Sequence, residues 1–204
     1  MGNINLESNV VALVGEITSD FAFNHEVYGE KFYVFELAVS RMSNAVDYIP
    51  VMVSERLVNV EESLKGRLAY VSGRYRSFNL HEDEKHKLVL TVFANEIELD
   101  VDYEPTNRIS LEGFVCKEPI YRKTPMGREI ADVLVAVNRA YGKSDYIPCV
   151  FWGRNAKYAA TFSVGTALRL NGRVQSREYQ KQISETEFEP RVAYEVSVAY
   201  VEVI

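Results

Sequence analysis

Asp47-Tyr48-Ile49-Pro50 returns as Asp145-Tyr146-Ile147-Pro148, 98 residues further on in a chain of 204. The match extends outward from these four residues. Without a gap, Asn9 pairs with Asn107, Gly15 with Gly113, Gly29 with Gly127 and Arg41 with Arg139. Ala38-Val39 aligns with Ala136-Val137 in the same register. One inserted residue then moves the offset to 99, so that Gly66 meets Gly165 and Gly73-Arg74 meets Gly172-Arg173. A register held this long is a duplicated domain. The division predicted is 1–102 and 103–204, joined by an acidic link that ends in Pro105.

Each copy reads as mostly strand. Val10–Ile17 and Phe32–Val39 are rich in β-branched and aromatic residues, which suit a pleated surface. Gly15 and Gly113 interrupt that pattern and predict a bend. Such a bend lets one long strand serve two parts of a barrel. One segment per copy has helical spacing. These are 55–64, with Leu57, Val60 and Leu64 before Gly66, and 154–163 before Gly165. The order is three strands, a helix and two strands. The predicted fold is all-β, two tandem five-stranded OB-fold barrels, each with one short helix between strands 3 and 4. Fold alone does not decide function.

Composition narrows the classes. Hydrophobic residues make up 47% and charged residues 25%, the ordinary balance of a globular protein. No apolar run approaches the ~20 residues of a membrane span. The N-terminus lacks the basic and apolar regions of a secretory signal. With only Cys116 and Cys149, there is no disulfide framework, and the reading is a reduced, cytoplasmic protein with two buried free thiols. The net charge of −6 is unevenly divided. Residues 1–103 carry 9 basic and 17 acidic side chains, and residues 104–204 carry 14 and 12. An acidic half precedes a mildly basic one. No Walker-type loop and no Ser/His/Asp constellation occurs, and the three histidines all lie in the acidic half. Neither an enzyme nor a cofactor is expected. His81 and His86 bracket a run of acids, but the spacing suits a solvated hairpin tip better than a metal site.

The second copy resembles the bacterial single-stranded DNA-binding protein family. The residues that carry this are Asn107-Arg108-Ile109-Ser110-Leu111-Glu112-Gly113, Thr124-Pro125-Met126-Gly127-Arg128 and Val135-Ala136-Val137-Asn138-Arg139. They continue through Asp145–Gly153 and Leu170–Arg177. The first copy matches more loosely. The resemblance implies binding of single strands without catalysis and particles of four OB-folds, which two copies of this chain would supply as a homodimer. It also implies stacking aromatics at four points, which fall here on Tyr141, Tyr146, Trp152 and Tyr179. Such binding combines a cationic groove with exposed aromatic faces. The neighbouring cations read as phosphate contacts are Arg122, Lys123, Arg128, Arg139, Lys143, Arg154, Arg173, Arg177 and Lys181.

In the first copy the equivalent points are Ser43, Tyr48, Ser54 and Leu80, so only Tyr48 keeps its aromatic ring. Trp152-Gly153 becomes Ser54-Glu55, and the loop at 81–86 is acidic where the second copy has Lys181. The first domain therefore reads as a degenerate copy that supports assembly or contacts another protein. Family members continue after the last strand into a flexible tail with an acidic tip that recruits partners. This sequence runs in strand pattern to Val201-Glu202-Val203-Ile204, and recruitment is expected to pass to the acidic first domain.

The competing view of the aromatics is packing. Tyr146 and Trp152, six apart on a strand, share one face, and that face could be inside. Trp152 is followed directly by Gly153 and Arg154, which favours exposure. The functional expectation is non-specific binding of single-stranded DNA in replication, recombination or repair, with a shallow salt dependence because of the acidic half. The alternatives are a primosome-like protein-interaction module and an RNA- or oligosaccharide-binding OB-fold. Preference for ribose strands would mark the RNA version.

Overall fold

The computed structural model describes residues 8–82, 85–184 and 187–204, with the backbone alone for 80–82 and 85–87. The first half contains β1 (Asn9–Ile17), β2 (Ala22–Val27), β3 (Glu30–Ser40), β4 (Val46–Ser54), β5 (Leu68–Glu82) and β6 (Lys85–Leu99). The second contains β7 (Thr106–Val115), β8 (Ile120–Lys123), β9 (Glu129–Asn138), β10 (Ser144–Trp152), α1 (Arg154–Ala159), β11 (Ala167–Gln182) and β12 (Phe188–Val203). No strand lies between Leu99 and Thr106.

In each half five strands close on themselves. β1 pairs with β3, β3 with β4, β4 with β6 in parallel, β6 with β5, and β5 with β1. β7, β9, β10, β12 and β11 repeat the circuit. Closure removes the sheet edges that would otherwise invite pairing with other chains. β2 and β8 are short additions at the two ends of the strand order, beyond the five strands read from the sequence. Alternation places Ile49, Val51 and Val53 of β4, and Ile147, Cys149 and Phe151 of β10, in the apolar interior. Cys149 is buried there, whereas Cys116 is only half-buried, less than the sequence suggested.

The predicted bends are present. β1 pairs with β5 as far as Glu16 and with β3 from Glu16 onward. A side chain at Gly15 would run into the carbonyl of Ala38, and one at Gly113 into that of Ala136. Only glycine lets these backbones approach so closely.

The helix prediction succeeds in one copy only. Residues 154–163 supply α1, shortened to Arg154–Ala159. Residues 55–64 form successive turns instead. The reason is local. The second segment offers Ala156, Ala159 and Ala160, the best helix formers, whereas the first offers Val58, Asn59 and Val60, which lose side-chain freedom or compete for the backbone.

The two barrels are joined by strand pairing. β1 and β7 run antiparallel from Asn9 opposite Leu111 to Val14 opposite Thr106. A pseudo-twofold relation follows, and the repeated residues mark it. Asn9 donates from Nδ2 to the Tyr75 carbonyl at 2.7 Å and accepts the Tyr75 N–H at 2.8 Å. Asn107 does the same with Val174, at 2.7 and 2.9 Å.

The repeated Asp-Tyr pairs have a second structural task. Asp145 is fully buried. Its carboxylate accepts the Ser77 N–H at 2.6 Å, Arg139 Nε at 2.7 Å and Arg76 Nη1 at 2.9 Å. The next residue, Tyr146, donates its N–H to Ser77 Oγ at 2.7 Å. Across the pseudo-twofold, Asp47 is equally buried. It accepts Arg41 Nε at 2.6 Å and the Ser176 N–H at 2.9 Å, while Tyr48 N–H donates to Ser176 Oγ at 3.0 Å. Each domain thus grips the long hairpin of the other.

Candidate nucleic-acid interface

Strand alternation decides the orientation of the aromatics. With Ile147, Cys149 and Phe151 in the core, Tyr146 and Trp152 point outward, at 44% and 38% exposure. Six residues of strand separate them, roughly 20 Å. Tyr179 lies on the projecting part of β11 with the Arg177 guanidinium 5.6 Å from its ring centre. This distance lies within the ~6 Å range of cation–π attraction. Tyr141 sits in a 3₁₀ turn at Ala140–Gly142 with φ of 62°, fully exposed. Tyr48 is exposed at the clasp on Ser176.

A groove of about 1070 Å³ runs from Trp152 over β12 and β11 to the β1–β7 junction. Three of the nine cations read from the sequence line it: Arg128, Arg173 and Arg177. Two more arginines join them that the sequence reading did not assign. Arg108 comes from β7, and Arg41 comes from the first domain. Tyr141, Tyr146 and Tyr179 lie outside this lining. A basic residue directly after Asn107 was a visible signal for Arg108. Nothing in the sequence could signal Arg41, because the clasp between Asp47 and Ser176 delivers it.

The remaining cations have other settings. Arg139 is held by Asp145 and donates from Nη2 to the Ser77 carbonyl at 2.7 Å, so its guanidinium is committed to the domain clasp. Arg122 pairs with Asp132 at 2.8 Å, and Lys123 approaches Glu129 at 4.0 Å. Lys143, Arg154 and Lys181 are exposed. Within the groove, Arg177 also reaches Glu195 at 3.3 Å. Arg173 is the most confined, and burial together with the charge of Arg41 pushes its pKa below the usual arginine range.

The corresponding surface of the first domain has a different character. Ser54, in the place of Trp152, is buried and donates to Glu30 Oε1 at 2.5 Å. Glu30 is also 3.3 Å from Arg56. The carboxylate nearest this point is thus Glu30, while Glu55 accepts the Lys31 N–H at 3.1 Å. Aromatics do persist nearby: His25 stacks on Phe32 at 4.9 Å, and Phe32 leans on Phe93 at 5.6 Å. Asp83 and Glu84, from the acidic loop read at 81–86, lie outside the described residues, as do the side chains of Leu80, His81 and His86.

Comparison with known proteins places these features. Residues 106–203 match the model of the single-strand binding protein family. Over 103 residues the chain is 36% identical to single-stranded DNA-binding protein A of Bacillus subtilis (strain 168), covering 47% of this chain and 59% of that protein. It is 35% identical over 103 residues to single-stranded DNA-binding protein 2 of Listeria innocua, covering 47% and 64%. The chain therefore spans less than two thirds of the length of these relatives. Among solved structures, the wild-type single-stranded DNA binding protein of Thermus aquaticus superposes with a TM-score of 0.76. That match covers 96% of this chain and 92% of that one at 21% identity, a likeness of fold across both barrels. The likeness in sequence to the single-strand binding protein family thus lies in the second half of the chain, residues 106–203.

Proposed function

We propose that the chain binds single-stranded DNA without sequence preference, chiefly through the second of two units, 1–102 and 103–204. The observation that carries this reading is the groove that joins an exposed Trp152 to arginines, with no carboxylate among the described residues that line it. Bases stack on the indole, which contributes ~1–3 kcal/mol per base and accepts any base. Guanidinium groups neutralise the phosphates between them. Tyr146, Tyr141 and Tyr179 extend the stacking surface along the strand, and Lys143, Arg154 and Lys181 supply further phosphate contacts. No step is chemical, and no cofactor takes part. The relatives, which are single-stranded DNA-binding proteins by name, support the same ligand. The role is to cover exposed strands during replication, recombination or repair in the cytoplasm. Two chains pair to present four barrels, and sedimentation tests that arrangement. The first domain, with Glu30 where the second has Arg128, serves assembly or a protein partner.

Trp152 is the only tryptophan, so its fluorescence reports the groove alone. Titration with oligo-dT is expected to give quenching that saturates and weakens as salt rises. Trp152→Ala is expected to lower affinity by about 5–150-fold, the equivalent of one stacked base. Binding that leaves Trp152 silent would move the site elsewhere. Absence of binding would favour the protein-interaction module.

A further inference from the structure

The fold is nearly symmetric about the β1–β7 junction, but the charge on its two sides is not. On one side the groove collects Arg41, Arg108, Arg128, Arg173 and Arg177. The pseudo-equivalent positions of four of these hold Val10, Glu30, Arg74 and Phe78, in the order Arg108, Arg128, Arg173 and Arg177. The junction thus forms without a counterpart of Arg108, Arg128 or Arg177, so these three are not there to hold the barrels together. Arg41 and Arg173 keep arginine counterparts in Arg139 and Arg74, and Arg41 also takes part in the clasp on Asp47.

Their pairing is also incomplete. Arg41 is matched by Asp47, and Arg177 is shared with Glu195. Arg108, Arg128 and Arg173 form no salt bridge among the described residues, although the Asp47 carboxylate partly offsets the charge of Arg41 on Arg173. Arg173 donates from Nη2 to Gln175 Oε1 at 3.2 Å, but its Nε is buried and reaches no acceptor. A buried donor without an acceptor is costly, and nearby positive charge adds to the cost. An anionic oxygen entering the groove would relieve both. Such a fork matches a tetrahedral phosphate better than a point charge does.

We propose that Arg173, Arg108 and Arg41 form a phosphodiester-binding site at the junction of the two domains, built by both of them. A strand stacked at Trp152 then continues across β7 and β1 instead of ending within the second domain. The first domain acts in binding through Arg41 and the floor residues Val10 and Ala12, although its own aromatic positions are lost. The inference rests on the reading that the groove carries a single strand, and it adds the route and the contribution of the first domain.

The test is a titration of the full chain with oligo-dT over a series of salt concentrations, followed by Trp152 fluorescence. The variants are Arg173→Gln, Arg108→Gln and, as a control, Arg67→Gln. Arg67 pairs with Asp100 on the first domain, away from the groove. Each groove variant is expected to flatten the plot of log K against log salt by ~0.7, the value for one phosphate on a single strand. The saturating quench should stay as in the parent, and Arg67→Gln should leave the slope unchanged. Because Arg108 is exposed, its variant keeps the test valid if Arg173→Gln folds poorly. Unaltered slopes in both groove variants would overturn the proposal. Unaltered slopes with loss of self-association in sedimentation would also overturn it and assign the groove to carboxylates of a second copy. Should the parent not bind oligo-dT, the functional reading falls, and inorganic tripolyphosphate decides the oxyanion site separately. Thermal stabilisation of the parent but not of Arg173→Gln supports the site, and equal stabilisation refutes it.

Discussion

Replacing Asp145 with Ala is expected to be among the most damaging single changes in this chain. The carboxylate is fully buried and gathers two guanidinium groups and one backbone N–H from both domains. Arg76 and Arg139 are themselves only 23% and 27% exposed. Removing the acid leaves two cations poorly solvated and the Ser77 N–H without its acceptor. Breaking a buried pair by deleting one partner costs about 3–5 kcal/mol. For a chain of this size that corresponds to a fall in Tm of roughly 6–20 °C. Asp47 is the matched control. Its site lacks a second hydrogen-bonded arginine, because Gln175 stands where the first copy has Arg76. Asp47→Ala should therefore cost less, by roughly 1.5 kcal/mol for one charge-assisted hydrogen bond. Urea unfolding followed by circular dichroism measures both losses on one scale. A loss under about 1 kcal/mol for Asp145→Ala, below the range for a broken buried pair, would refute the account of the clasp. So would a larger loss for Asp47→Ala.

Two further outcomes are expected. Gly113→Ala would press a methyl group against the Ala136 carbonyl and to 2.8 Å from Val135 Cγ1, so it should destabilise the second barrel by about 1–3 kcal/mol in the same unfolding assay. On the surface, Asp20 beside Lys65, Asp100 beside Arg67 and Glu129 beside Tyr121 and Lys157 have carboxyls held below their ordinary range by these hydrogen bonds. A carboxyl whose pKa is lower folded than unfolded stabilises the fold above the ordinary carboxylate range and loses that contribution as pH falls through the lowered value. Tm should accordingly hold from neutral pH down to about 5 and then decline. Glu129→Gln should make that decline shallower, and an unchanged acid limb would count against the assignment.

Local chemistry made much of this molecule legible. The repeated tetrapeptide, the strand patterning and the paired glycines specify two barrels, because alternation and close backbone approach are properties of neighbouring residues. Alternation puts Tyr146 and Trp152 on one face, and the Gly153-Arg154 pair directly after Trp152 favours turning that face outward. The missing helix at 55–64 shows the limit of periodicity, since Leu57, Val60 and Leu64 keep helical spacing while Val58 and Asn59 between them weaken the helix.

Other features were decided in three dimensions. Arg139 and Arg173 look alike in sequence, yet one is committed to Asp145 and the other lines the groove with an unsatisfied Nε. Arg41, read within a degenerate copy, becomes part of the second domain's groove. The repeated Asp-Tyr pair, which suggested only shared ancestry, closes each domain on a serine that is 68 or 129 residues away. Sequence by itself determined which segments become strands and which surface keeps its aromatic ring, because those depend on side-chain type at fixed local spacing. The pairing of β1 with β7 decided which charges meet, because electrostatic partners are set by distance in space and not by distance along the chain.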